Sequence, residues 1–233
     1  MTARNNKGFS LLEALVVMAI AVVLTVVWIT VLPGVLNNSA VDAGYSQTIG
    51  ALRTARQLAI DQMEQVQVTI SGSGTSPATL TYSNQTPGGS TSNSNFSGSS
   101  SQTITVTLPV RVQFALPSSS GPTTAPESVP STEWTISNSV PVSFSPIVTT
   151  GSTSTYTATG TNPGYYIVFQ PDGTAQCPNT AAAAPLPIAG VCNGVIYLMD
   201  VKGDPSTLKA ITLFGQTGRI AGYRYTGGGW TPY

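Results

Sequence analysis

Lys7-Gly8-Phe9-Ser10-Leu11-Leu12-Glu13 opens an apolar run that continues to Leu32. From Ala14 to Leu32 there is no charge, no glycine and no proline, and Thr25 and Thr30 are the only polar side chains. As a helix, Phe9 to Leu32 spans roughly 36 Å at about 1.5 Å per residue. That length crosses a hydrocarbon core of roughly 30 Å. The single discordant residue is Glu13. A carboxylate at mid-bilayer costs at least about 2.5–3.5 kcal/mol, so an acid here asks for a partner or a task. The residues before the run carry Arg4 and Lys7, a short basic leader.

Three readings fit such a segment. A cleaved secretory signal has an apolar region of only about 7–15 residues and ends at a small-x-small site. This run is longer, and Asn38-Ser39-Ala40 is a poor site of that kind. An ordinary membrane anchor would place Glu13 at the headgroup level, where it complements the positive end of the helix. The third reading uses the whole pattern. Gly8-Phe9-Ser10-Leu11-Leu12-Glu13 after a basic leader resembles the processing site of type IV pilins and type II secretion pseudopilins.

The resemblance implies cleavage by a prepilin peptidase between Gly8 and Phe9, followed by N-methylation of Phe9. Glu13 would then be the acid at the fifth mature position. One ammonium and one carboxylate per subunit, each costly to bury alone, would neutralise each other between staggered helices. The implied partners are other pilin or pseudopilin subunits, the peptidase, the inner membrane and an inner-membrane assembly platform. The basic leader would keep the N-terminus cytoplasmic and the remainder periplasmic until assembly.

The expected organisation is a leader at 1–8, an apolar membrane or filament-core helix at 9–36, an amphipathic helix half at 37–64 and a β-rich periplasmic head at 65–233. At 233 residues, the chain holds a helix and one domain of ordinary size. Only 8% of it is Asp, Glu, Lys or Arg, against roughly 25% in soluble proteins. The formal net charge is zero, and loss of the leader leaves seven bases against nine acids. That balance provides no broad electrostatic footprint for nucleic acid.

Pro33-Gly34 predicts a kink or local melting of the helix, because proline removes a helix hydrogen bond. Asn37-Asn38-Ser39 would then recap it. Val41, Tyr45, Ile49, Leu52, Ala55, Ala59 and Met63 recur at steps of three or four, a stripe meant for a sheet. Asp42, Arg53, Asp61 and Glu64 lie off that stripe. After Glu64 the period drops to two, with Val66, Val68 and Ile70 alternating with polar residues as in a half-buried strand. Further strands are expected at 78–82, 103–108, 110–116, 134–136, 140–144, 165–170, 194–201, 208–214 and 219–225. Between them, 83–102, 117–132 and 149–164 are rich in Ser, Thr, Gly, Asn or Pro and read as surface loops.

A helix followed by a run of strands predicts an α+β fold, with an antiparallel β-sandwich head packed on a long N-terminal helix. Three segments sharpen this: Arg53-Thr54-Ala55-Arg56-Gln57-Leu58-Ala59-Ile60 leading into Val66-Gln67-Val68, then Ile167–Thr174, then Ile211–Ile220. Together with the anchor they resemble the GspH/FimT branch of minor pilins. That resemblance implies a filament subunit that helps initiation or capping. A major pilin forming the fibre and a DNA-binding minor pilin of a competence pilus are the alternatives.

No catalytic residue, metal ligand set or cofactor motif is read in the chain. It has no histidine, which removes Ser-His-Asp chemistry and His-based metal sites. Cys177 and Cys192 bracket fourteen residues. In an exported chain they suggest one disulfide. Asp200, Gly203 and Asp204 read as a solvated turn before a calcium loop, and Asp172-Gly173 reads as a hairpin turn. Arg219 and Arg224 lie with Tyr223, Tyr225 and Trp230 in a Gly-rich tail. In FimT-type pilins a Gly-Arg-x-Arg tail is implicated in DNA uptake. Gly218-Arg219 match that pattern, but the second arginine is replaced by Ala221. An edge strand with exposed arginines is the plainer reading of these residues.

Overall fold

The structure is a computed structural model. It describes residues 11–72, 77–85, 103–115, 126, 142–146, 165–178 and 188–233, with backbone alone at 30–33, 84–85, 143–146, 165–166, 177–178 and 188–192. The chain divides into two compact units, Met1–Ser39 and Ala40–Tyr233.

Helix α1 runs Leu11–Gln62. It passes through Pro33 and Gly34 without a break in helical assignment, so the expected melting and recapping do not occur. Ser39 shows why no cap forms: its hydroxyl donates to the Leu36 carbonyl at 3.0 Å, inside the helix. The helix ends where Met63 turns to a positive φ of 55°. Met63 is therefore exposed rather than the last member of the buried stripe.

The remainder of the stripe behaves as expected. Val41, Tyr45, Leu52, Ala55 and Ala59 are buried, and Ile49 packs beside them. They form one core with Val66, Val68 and Ile70 of β1 (Gln65–Ser71), which alternate in burial along that strand. Ile167 and Phe169 of β6 (Tyr165–Phe169) join them, as do Ile211 and Leu213 of β9 (Lys209–Phe214) and Ile220 of β10 (Arg219–Tyr225).

Every strand pairing among the described residues is antiparallel. The hydrogen-bonded path is β11-β10-β9-β8-β7-β6-β1-β2-β3, and β4 and β5 each pair with β8. Here β2 is Thr79–Gln85, β3 Thr103–Thr107, β4 Val112–Gln113, β5 Val142–Pro146, β7 Ala175–Pro178, β8 Ile188–Asp200 and β11 Trp230–Pro232. This is the α+β architecture of a long helix and antiparallel sheet.

Several boundaries differ from the sequence expectation. The strand expected at 110–116 shrinks to β4, because a turn from the Pro109 carbonyl to the Val112 N–H occupies its start. Strand β8 begins at Ile188, six residues before the expected start, and β7 and β11 were not expected. The strand expected at 134–136 lies outside the described residues, as do the beginning of the one at 140–144 and most of the three polar loops. A second apolar cluster, Val195, Tyr197, Met199, Leu208 and Ala210, is covered by Tyr223, Tyr225 and Trp230. Strands β8 and β9 are thereby buried on both faces.

Candidate functional site

In the first unit, every described side chain from Leu11 to Ile29 is exposed. Leu15, Met18, Val22, Trp28 and Ile29 are each more than half accessible. So continuous an apolar surface far exceeds the patches that water-facing proteins normally show. The helix meets the length and composition required to cross a membrane. Its polar groups are economical: the Thr25 hydroxyl donates to the Ala21 carbonyl at 2.7 Å, hiding it inside the helix. Glu13 lies in the first described turn. Gly8 and Phe9 lie outside the described residues.

The comparisons with known proteins point to this same segment. Residues 3–29 match the family model of the prokaryotic N-terminal methylation motif. This motif supports a type IV pilin-like protein, a structural subunit. It implies processing by a prepilin peptidase and assembly with other pilin subunits. The motif and the apolar helix together support membrane anchoring. No curated protein and no solved structure matches the chain.

The head of this pilin-like chain holds a second set of polar residues, beside the C-terminal half of α1. Arg56 reaches across to two turns at once: Nε donates to the Gly173 carbonyl at 3.1 Å and Nη2 to the Thr217 carbonyl at 2.9 Å. The first turn joins β6 to β7, and Asp172 tightens it by accepting from the Thr174 hydroxyl and N–H. Those hydrogen bonds, the hydroxyl's first, hold the Asp172 carboxyl below its ordinary value. The second turn joins β9 to β10 and contains Gly218. At its φ of +61°, a Cβ would lie 2.0 Å from the Gly173 carbonyl oxygen, so only glycine fits.

Arg53, Arg56 and Arg219 line a cleft of about 370 Å³ over this junction. A second cleft of about 330 Å³ lies along α1, bounded by Tyr45, Gly50, Arg53, Gly222 and Tyr233. Gly222 lets the Tyr45 ring pack against β10: a Cβ there would lie 1.5 Å from the Tyr45 hydroxyl.

Arg219 and Arg224 are not brought together. They are five residues apart on β10, an odd separation that places them on opposite faces of the strand. Arg219 lies over the Phe214 ring at 4.5 Å, while Arg224 stands opposite Lys209 in the β9–β10 register.

Lys209 is buried and is joined to Asp42 and to the Tyr233 hydroxyl. That hydroxyl donates in turn to Asp42 at 3.0 Å, and the Tyr45 and Tyr233 ring centroids lie 4.8 Å apart. Burial and then the Arg224 charge pull the Lys209 ammonium down to about 8. Burial, with Tyr233 next in effect, pushes the Tyr45 hydroxyl up to about 12.

Asp42 lies off the buried stripe, as the sequence places it, and is exposed; sequence reasoning passed over Lys209 and Arg56. A signal existed for Lys209: strand alternation puts it on the face of Ile211 and Leu213, which is the core face. None existed for Arg56, whose partners are backbone carbonyls 117 and 161 residues away in sequence.

Asp200 also departs from expectation. It is buried, and its carboxylate accepts from the Asp204 N–H at 2.8 Å. Asp204 in turn accepts from the Ser206 N–H at the head of the short turn Pro205–Thr207. The pair builds a turn, and no group of three or more metal-ligating side chains occurs among the described residues. Cys177 and Cys192 fall on the paired strands β7 and β8, near the Gln176–Val191 register pair. Their side chains lie outside the described residues.

Proposed function

We propose that this chain is a minor pilin or pseudopilin, cut between Gly8 and Phe9, methylated at Phe9, and placed at the start or tip of a filament. One observation carries the reading: a fully exposed apolar helix with a single acid, Glu13, beneath a methylation motif. Lipid covers that surface before assembly, and the helices of neighbouring subunits cover it afterwards. Within the filament, Glu13 accepts the amino group of a neighbour's Phe9. Two ions that are costly to bury separately thereby fix the stagger of the helices. The assembly platform of the inner membrane is the partner that extracts the subunit.

The test is a Glu13→Ala chain expressed with its native machinery. It is processed normally but is depleted from sheared filaments, whereas Gly8→Ala retains the leader. Quantifying the native chain in the same filaments separates two roles. A trace subunit is a minor pilin; a subunit that dominates the filament mass is the fibre's main component and overturns the minor assignment.

A further inference from the structure

Strand β3 (Thr103–Thr107) ends the hydrogen-bonded path of the sheet, with β2 as its one neighbour among the described residues. The pairing fixes which of its backbone groups β2 uses. The Leu108 N–H donates to the Ala78 carbonyl at 2.9 Å, and the register continues with Val106 opposite Leu80 and Ile104 opposite Tyr82. In an antiparallel ladder, hydrogen-bonded and non-hydrogen-bonded pairs alternate. Ile104 and Val106 therefore exchange their bonds with β2. Thr103, Thr105 and Thr107 form the non-hydrogen-bonded pairs, and their N–H and C=O groups point out of the edge of the sheet. The Thr81 and Thr105 hydroxyls, 3.3 Å apart, fit the close side-chain approach of such a pair. No hydrogen bond within the described residues takes up these edge groups.

An open edge normally carries a charge, a proline or a bulge, or is cut short, because it templates pairing with another chain. The opposite end of the sheet follows that rule: β11 is three residues long and includes Pro232. Strand β3 has neither charge nor proline, and its register with β2 is unbroken. Its sequence, Thr-Ile-Thr-Val-Thr, is also close to a palindrome. Turned about a two-fold axis at Thr105, a second β3 sets Thr105 opposite its own counterpart, Thr103 opposite Thr107, and Ile104 opposite Val106. Each threonine pair then exchanges two hydrogen bonds, using the groups that β2 leaves outward. The side chains agree on both faces. Ile104 and Val106 are half-buried against the core and end the rows Val68–Tyr82–Ile104 and Ile70–Leu80–Val106, which the second copy extends. On the other face, the exposed threonines of β3 end the rows Thr69–Thr81–Thr105 and Ser71–Thr79–Thr107. With no charge on the strand, a like copy meets none of the repulsion that facing charges create.

We infer that β3 is a docking edge for a second copy of this chain, joined antiparallel about Thr105 into one sheet across two heads. The same patch serves both copies, so the contact closes on itself as a pair. It stands apart from the minor-pilin reading, which concerns Glu13 and α1.

The experiment uses the full chain in an excess of detergent micelles, so that any pairing through α1 is common to every variant. Under mild oxidation, Thr105→Cys gives a covalent dimer joined at position 105. A hydrogen-bonded pair sets its Cα atoms about 5.5 Å apart, within the roughly 4.4–6.8 Å that a disulfide spans. Thr231→Cys, exposed on β11 at the other end of the sheet, gives at least about tenfold less dimer, because nothing holds two such positions at disulfide distance. Cys177 and Cys192 are common to both variants and to the parent chain, whose dimer under the same oxidation is the baseline. Energy transfer between two labelled copies supplies a readout without thiols. Thr105→Lys pairs poorly with itself, because like charges directly opposite repel, and mixing Thr105→Lys with Thr105→Glu restores pairing. The Thr105 side chain is exposed, so neither charge lowers the melting temperature of the head. Equal cross-linking at 105 and 231, no dimer at 105, or equal pairing in the Lys–Lys and Lys–Glu mixtures overturns the inference. The last two are also what a different strand seated on β3 would give.

Discussion

Arg56 ties helix α1 to two turns that are far apart in the chain, so its removal tests the packing of the head directly. Arg56→Met keeps most of the aliphatic stem and deletes the guanidinium. It removes two hydrogen bonds with a charged donor, at 3.1 and 2.9 Å. Such bonds contribute about 1.5–3 kcal/mol each. The bond to Thr217 is exposed and its carbonyl can turn to water, so its share falls at the bottom of that range or below. The expected loss is therefore about 2–4 kcal/mol. In urea, at a slope of about 2 kcal/mol per molar, the unfolding midpoint falls by about 1–2 M. Intrinsic fluorescence of the detergent-solubilised chain reads it. Arg56→Lys recovers little, because an ammonium cannot reach both carbonyls with a planar fork. Gly218→Ala should be at least as damaging, since its positive φ alone costs about 1–2 kcal/mol and its Cβ would strike the Gly173 carbonyl and displace Arg56 Nε. The double variant then loses less than the sum of the two, because both break the same junction. A midpoint unchanged within error in Arg56→Met would refute this account of the junction.

Other expected outcomes follow from particular residues. Gly50→Ala should raise stability by about 1 kcal/mol, measured by the same melts; a loss would mean that the helix flank is not open. Lys209 titrates near 8 in the folded chain, below its ordinary 10.5. The unfolded chain therefore binds the extra proton between those values, and stability rises with pH across that window. Melts at pH about 8 and about 9, where the Tyr45 hydroxyl of the unfolded chain is still largely protonated, should show the rise, and Lys209→Met should flatten it. A slope indifferent to Lys209→Met contradicts the assignment. We propose that Cys177 and Cys192 form a disulfide, the pairing expected of two cysteines in an exported chain; its reduction then lowers stability by about 3 kcal/mol for a loop of that size. Two thiols found free in native protein by alkylation contradict it.

The helix and most of the sheet were legible because their signals are local. A nineteen-residue uncharged run, a four-residue stripe from Val41 to Ala59 and the alternation of Val66, Val68 and Ile70 each state their own period. The two missed strands lack such a signal. Ala175–Pro178 and Trp230–Pro232 are short and contain proline, and they become strands because a neighbour offers its hydrogen-bonding edge. Met63 was misplaced for a comparable reason: its spacing fits the stripe, but the chain leaves the helix at that residue.

The candidate site divides in the same way. The apolar segment and Glu13 are written contiguously, and the methylation motif is matched there. The Arg53–Arg56–Arg219 cleft and the Lys209–Asp42–Tyr233 cluster unite residues separated by more than 160 positions, and only the folded head assembles them.

The most direct measurement is the mass of the N-terminal peptide of protein taken from cells that carry its own processing enzymes. The account predicts a chain that begins at Phe9 and carries one added methyl group on its amine. A chain that still begins at Met1, or one that begins beyond Ala40, would contradict it.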